Sequence, residues 1–352
     1  MSIAQLGPDH YSFQLLVFVW GALWGSFLNV VIVRLPRGMS LSRPPSHCFS
    51  CQAPIPFFHN VPILSYLILR GRCASCGARY SARYAMVELA TAGLSLTLYR
   101  YLLTTRPFDA WTPLLLNFGV LFVFVGALIA VTFIDLDWFI IPNVITVPGI
   151  AIGLLVHGLF SRTTGIAFHE SFLGLFLGGG TILLLIEGYH WLTGREGMGG
   201  GDFKLMAMAG AFLGWQALPF LFFASSVQGV IFAVILRVLR AEPAPPPYLL
   251  EGIGESGSES HSESHSESHS ESDIESERHS ESHNESDGER ENAAEREAAR
   301  PSEPDGTTAL PPAGAFSRMV LPFGPFIAMA AIEYIFFGET LIRWFARISG
   351  AR

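Results

Sequence analysis

Apolar residues in this chain come in long, almost unbroken blocks, not at the one-face spacing of a helix on a soluble core. Blocks run over 13–33, 85–104, 112–134, 143–160, 170–192, a short stretch near 203–215, then 217–239 and 321–345. Most reach the ~17–25 residues an α-helix needs to cross a bilayer, where a helix satisfies its own backbone. The pattern predicts an all-α, polytopic membrane protein of about eight transmembrane helices. The first block should persist as a permanent helix. It lacks a basic leading region and runs into Arg34 and Arg37 with no small-residue cleavage site.

Composition agrees with the pattern. The 352 residues are 50% hydrophobic and 15% charged, against about a quarter charged in soluble domains. The few basic residues set an orientation. Arg34, Arg37, Arg43, Arg70, Arg72, Arg79 and Arg83 crowd the loop after the first block, which places that loop in the cytoplasm. Alternation puts the turns carrying Asp135 and Asp202 on the same side. Arg343, Arg347 and Arg352 then fall outside if all eight blocks cross, so the short sixth block decides the side of the C-terminal end.

All four cysteines lie in that first loop, as Cys48-Phe49-Ser50-Cys51 and Cys73-Ala74-Ser75-Cys76. Two such knuckles about twenty residues apart have the spacing of a four-thiolate zinc site, and four sulfurs close the shell, so the zinc would be structural. Two disulfides are the alternative, and a reducing cytoplasm disfavours them. Between 241 and 312 the composition changes to Ser/His/Glu repeats. Low apolar content and high charge predict a disordered cytoplasmic insert, with weak metal binding by its histidines the lesser alternative.

Charged groups in membrane helices are costly and mark function by default. Asp135 and Asp137 stand in Phe133-Ile134-Asp135-Leu136-Asp137-Trp138, and Asp202 follows Gly199-Gly200-Gly201. Two aspartates from different helices can share one proton: the ionised one activates water, and the protonated one polarises a carbonyl and later donates to the leaving amine. The glycines would let an extended substrate approach the backbone. Helix initiation by Asp202 and cation transport by the two acids remain open on residue types alone, although transporters often carry internal repeats and none is evident. Glu88, Glu187 and Glu333 also lie within blocks, Glu88 within reach of Arg83 or Arg70.

Five motifs in order then carry a resemblance. Gly25–Pro36 (GSFLNVVIVRLP), the cysteine loop with NVPILSYLILRGRCASCG, FIDLDWFIIPN, GMGGGDFKLMAMAGAFLGW and PFGPFIAMA resemble type IV prepilin peptidases, membrane aspartic proteases of the Gly-x-Gly-Asp type. The resemblance implies Asp135 and Asp202 as the catalytic pair, with Asp137 the nearest competitor for the first role. It implies cleavage of type IV prepilin and type II secretion pseudopilin leaders after a glycine, at the cytoplasmic face of the bacterial inner membrane. Members with the cysteine loop also N-methylate the new N-terminal residue with S-adenosylmethionine. The sequence names no residues for that cofactor. One departure is Asn143 after Pro142, where the family often has aspartate. An intramembrane protease of the presenilin kind shares only Gly-x-Gly-Asp and lacks the cysteine loop.

On this reading the chain divides into a first transmembrane helix (1–33), a Cys48/Cys51/Cys73/Cys76 zinc loop (34–84), a membrane aspartic peptidase core (85–240), the insert (241–312), and a last transmembrane helix with the C-terminal end (313–352). Partners are the prepilin or pseudopilin substrates and the lipid bilayer, and no nucleic acid. Asn29 and Arg34 are expected to serve helix packing and positive-inside anchoring. Lys204, the chain's only lysine, should snorkel, and His157, His169 and His190 should lie at the interface.

Overall fold

The structure is a computed structural model that describes residues 9–105, 111–194, 199–239 and 321–348, with the backbone alone for 339, 342–346 and 348. The Ser/His/Glu insert, Gly197, Met198 and Arg352 lie outside the described residues, as does the Arg343 side chain. Nine α-helices follow one another among those residues: α1 Tyr11–Arg34, α2 Leu64–Leu69, α3 Arg83–Thr105, α4 Trp111–Trp138, α5 Asn143–Thr164, α6 Phe168–Thr193, α7 Asp202–Leu213, α8 Leu218–Leu239 and α9 Gly324–Ile348. Their only β pairing is two isolated bridges in the cysteine loop, His47 with Pro54 and Arg72 with Arg79. The all-helical class holds, and each apolar block became a helix within a few residues of its expected ends.

The number of crossings is a separate matter. Five segments are long and apolar enough to cross: Tyr11–Arg37, Trp111–Trp138, Asn143–Thr164, Phe168–Thr193 and Trp215–Leu239. The count of eight is not confirmed by that measure. Helix α3 carries Glu88 and Arg100 among its threonines and serines, and α9 is strongly apolar only over Gly324–Gly338. The 12 residues of α7 rise about 18 Å against a hydrocarbon core of about 30 Å.

Helix α7 is short and enclosed by its neighbours. From Leu205 to Leu213 every residue is buried, packed mainly against α6, α5 and α9. Small residues make this possible. A Cβ on Gly174 of α6 would collide with the Gly210 carbonyl of α7, and one on Gly178 would lie 2.8 Å from the Met206 oxygen. Phe212 stacks on Phe124 of α4 with ring centroids 4.4 Å apart. Without an aqueous drive between helices in lipid, this close backbone approach supplies the dispersion contacts that hold them. The other closely packed pair, α1 with α3, uses Gly21 and Gly25 in the same way. A Cβ on either would come 2.7 Å from α3. Outward faces of α5, α6 and α8 present Val144, Val147, Leu155, Leu184, Val230 and Val238, an exposed apolar surface far too extensive for water.

Candidate active site

Helix α4 runs past its apolar block and stops at Trp138, where Phe139 takes a left-handed conformation (φ 55°) and donates its N–H to the Asp135 carbonyl at 2.9 Å. Asp135 is therefore on the last turn, and it is buried. Two residues on, the helix points Asp137 elsewhere. It meets Arg83, whose Nη1 lies 2.6 Å from its Oδ2 while Nη2 donates to the Phe133 carbonyl at 3.1 Å. The two acids of this turn thus have different surroundings, one enclosed and one in a half-exposed ion pair.

Asp202 is the first residue of α7, and its side chain does not cap the helix; Gly201 holds the N-cap position. The carboxylate is buried, as that of Asp135 is. Ile141 packs against the glycines beside both acids. A Cβ on Gly201 would sit 2.7 Å from the Ile141 Cβ. On the opposite side, a Cβ on Gly324 would sit 2.5 Å from Asp135 Oδ2 and 3.0 Å from Ile141 Cδ1. The Gly324 N–H donates to Asp135 Oδ2 at 3.1 Å, although 189 residues separate them in sequence. Three helix ends thus converge: the last turn of α4 and the N-termini of α7 and α9. Helix N-termini carry partial positive charge and favour an anion beside them. Gly199 and Gly200 have open space where side chains would stand, apart from Asp202 Oδ2 at 3.9 Å from a Gly199 Cβ. Only Gly201 is required by packing within the protein.

The remaining singled-out residues fall as follows. Asn29 donates to the Tyr84 carbonyl at 3.0 Å and ties α1 to α3, the packing role expected of it. Arg34 is buried and donates to the carbonyls of Ser40 (3.0 Å) and Pro44 (2.7 Å), so it organises the loop from within instead of anchoring at a surface. The Glu88 partner is the Ile63 N–H (2.7 Å), neither Arg83 nor Arg70. Lys204 bonds Asn143 Oδ1 at 2.7 Å across the site's edge, a tether where snorkelling was expected. His157 is buried with Nδ1 3.1 Å from the Ala211 carbonyl, because α7 packs against α5 at that level; His169, His190 and Glu187 are exposed as interfacial groups would be. Glu333 accepts from Gln228 at 2.8 Å between α9 and α8.

The four cysteines form one cluster. Their sulfurs all lie within 4.8 Å of one another, with Cys48 Sγ 3.9 Å from Cys76 Sγ. A zinc–sulfur distance near 2.3 Å in a tetrahedron requires sulfurs about 3.8 Å apart, so the donor set fits that ion. Each knuckle folds alike: Cys48 N–H to Ala53 carbonyl and Cys73 N–H to Ala78 carbonyl, followed by a left-handed Gln52 (φ 58°) or Gly77 (φ 73°). Backbone N–H groups of Cys51 and Ser50 hold the Cys48 thiol down to about 6. At Cys76 the Ala78 N–H pulls downward, but the crowding sulfurs of Cys51, Cys73 and Cys48 push it up to about 11. Four sulfurs this close resist full ionisation unless a cation sits among them.

An all-helical membrane protein with a four-cysteine loop and two buried acids where helix ends meet is the class these features define. Residues 19–102 match the bacterial peptidase A24 N-terminal domain and residues 122–234 the type IV leader peptidase family. The chain belongs to the type IV leader peptidase family, a family of protease enzymes. Among its relatives, a prepilin leader peptidase/N-methyltransferase of Neisseria gonorrhoeae is 38% identical over 64% of this chain and 82% of its own length. Those of Aeromonas salmonicida strain A449 (39%, 66% and 86%) and Stutzerimonas stutzeri (35%, 69% and 90%) carry the same name. No solved structure matches.

Sequence reasoning did not single out Gly324 or Ile141 individually. The Pro322-Phe323-Gly324-Pro325 turn was visible as a motif, but nothing local says that its N–H reaches Asp135.

Proposed function

We propose that this protein is an aspartic endopeptidase that removes the leader from type IV prepilins, and from type II secretion pseudopilins, with Asp135 and Asp202 as its catalytic pair. The observation that supports this most is the burial of two carboxylates from separate helices at ends that both pack, through Gly201 and Gly324, on Ile141, one of the acids held by the Gly324 N–H. Two acids so placed share a proton more readily than they carry two charges. The ionised member removes a proton from water as it attacks the scissile carbonyl. The protonated member steadies the oxygen and then gives its proton to the departing amine. Gly199 and Gly200 leave room for the extended leader next to Asp202. Cleavage after a glycine at the cytoplasmic face of the inner membrane follows from the family motifs and from the arginines of the first loop.

The names of the relatives bring a second activity to this reading. The new N-terminal amine is methylated, with S-adenosylmethionine as donor. The donor supplies an electrophilic methyl group; the amine lone pair forms the N–C bond, the C–S pair stays on sulfur, and the amine gives up a proton. Cys48, Cys51, Cys73 and Cys76 hold a structural zinc that shapes the loop.

The test is cleavage of a co-expressed prepilin in membranes, read by mass spectrometry of its N-terminus. Asp135→Asn and Asp202→Asn should each lower cleavage by about 100-fold or more. Full cleavage by either variant ends the dyad. Loss in Asp137→Asn with retention in Asp135→Asn would move the first role by two residues. An added methyl on the processed wild-type product supports the second activity, and its absence removes that part.

A further inference from the structure

Helix α2 has two faces, and only one of them is covered. Tyr66 turns inward, its ring 5.5 Å from that of Tyr80 and against Gly71, and Ser65 and Leu69 are half-buried. Leu64, Leu67 and Ile68 stand at the i, i+3, i+4 spacing of one helix face and are exposed, Ile68 at 76%. Just before the helix, Phe57 and Phe58 pack edge to face, with Phe57 at 86% exposure. Large apolar side chains grouped in the open form a contact surface, unlike the single ones scattered over any protein. The charge around them has one sign. Arg37, Arg43, Arg70, Arg72 and Arg79 are exposed, and no aspartate or glutamate occurs from 35 to 87. Arg72 and Arg79 pair directly across an antiparallel bridge, a placement of like charges that is unfavourable without an anion nearby. A zinc ion on four thiolates would carry two negative charges, which offset fewer than half of these arginines.

We propose that this face docks on the anionic phospholipid surface of the bilayer that the chain's own helices cross. The docking presupposes that Tyr11–Arg37, which is long and apolar enough to span, does cross and delivers the chain straight into the loop. Helix α3 takes the chain back, with Met86 and Leu89 exposed on its first turns. Both roots of the loop then hold it at headgroup level. An apolar helix face beside arginines suits a segment lying in the interface plane, its apolar side chains at the acyl boundary and its cations among phosphates. Guanidinium groups bind phosphate through two parallel N–H donors. A protein partner is the weaker match, because a rim of one sign would need an equally acidic surface opposite it.

The experiment uses the full chain in nanodiscs of phosphatidylcholine alone and of phosphatidylcholine mixed equally with phosphatidylglycerol. Backbone hydrogen exchange over 57–70 is followed by mass spectrometry, and bound metal is measured on the same samples. Exchange should be about tenfold slower or more in the phosphatidylglycerol discs. Arg70→Gln, Arg72→Gln and Arg79→Gln combined should remove the difference between the lipids. Leu67→Ser with Ile68→Ser should leave exchange fast in both, with bound metal at the wild-type level because these side chains face outward. Equal exchange of the wild type in the two lipids overturns the docking, as do variants that exchange like wild type. Protection that appears only when a prepilin is added assigns the face to a protein and overturns it too. The wild-type comparison needs no substitution, so it decides the question if a variant sheds its metal. A chain that enters neither disc defeats the spanning reading, whereas entry with equal exchange defeats the docking alone.

Discussion

The pairs α1–α3 and α6–α7 are built by the same device and finished differently. Both bring backbones together through glycines, Gly21 and Gly25 of α1 in the first and Gly174 and Gly178 of α6 with Gly210 of α7 in the second. The first pair then feeds a polar loop whose order comes from thiols, the buried Arg34 and the Glu88 carboxylate. The second continues directly into the aspartate site, where Gly201 and Gly324 press on one isoleucine. Order in the loop is thus chemical and removable, whereas order at the aspartates is steric. Perturbing one region should leave the other largely intact.

The largest effect is expected at the steric site. Gly324→Ala puts a Cβ 2.5 Å from Asp135 Oδ2, and displacement of the proposed reacting group by about an ångström costs on the order of 100-fold in rate. Prepilin cleavage should fall by that factor with the thermal unfolding midpoint nearly unchanged. Cleavage at the wild-type rate would show that the contact does not position the acid. Next comes the loop. Removing metal with a chelator, or Cys73→Ser, should speed limited proteolysis within 38–82 by at least about tenfold, since metal binding and folding of such sites are one equilibrium. Fragments cut between α6 and α7 at the same rate as those in the loop would erase the contrast.

A smaller effect separates the neighbouring acids. Asp137→Asn breaks a half-exposed ion pair with Arg83, of a kind worth about 0–1 kcal/mol, so cleavage should stay within about fivefold of wild type. The smallest lies in the knuckles. Gln52 stands in the left-handed position that Gly77 fills in the other knuckle. Gln52→Gly should stabilise the loop by less than about 1 kcal/mol, visible as a small shift in the chelator concentration that opens it.

The sequence was most informative where the cause is local. Apolar block length marked the helices, and Cys-x-x-C spacing marked the sulfur cluster. It was least informative where a polar group finds its partner far along the chain. Arg34 and His157 look like surface groups in sequence because neither their burial nor their carbonyl partners are encoded nearby. Glu88 had two arginines within easy reach, yet the Ile63 backbone claims it. Proximity of Asp135 to Asp202 was expected from topology and motif, while the Gly324 donor and the Ile141 packing depend on three helix ends meeting. The glycine spacing of Gly174 and Gly178 is a local signal for close helix approach that could have revealed the enclosed α7.

The bond from Gly324 to Asp135 also has a consequence in time. At synthesis rates of about 5–20 residues per second, the separation of 189 residues takes roughly 10–40 seconds to span. During that interval the ribosome delivers Asp202 after Asp135, while the donor that fixes the first acid does not yet exist. On the proposed pairing, a half-made chain holds both acids without their final brace, and competence is expected only when the last helix docks.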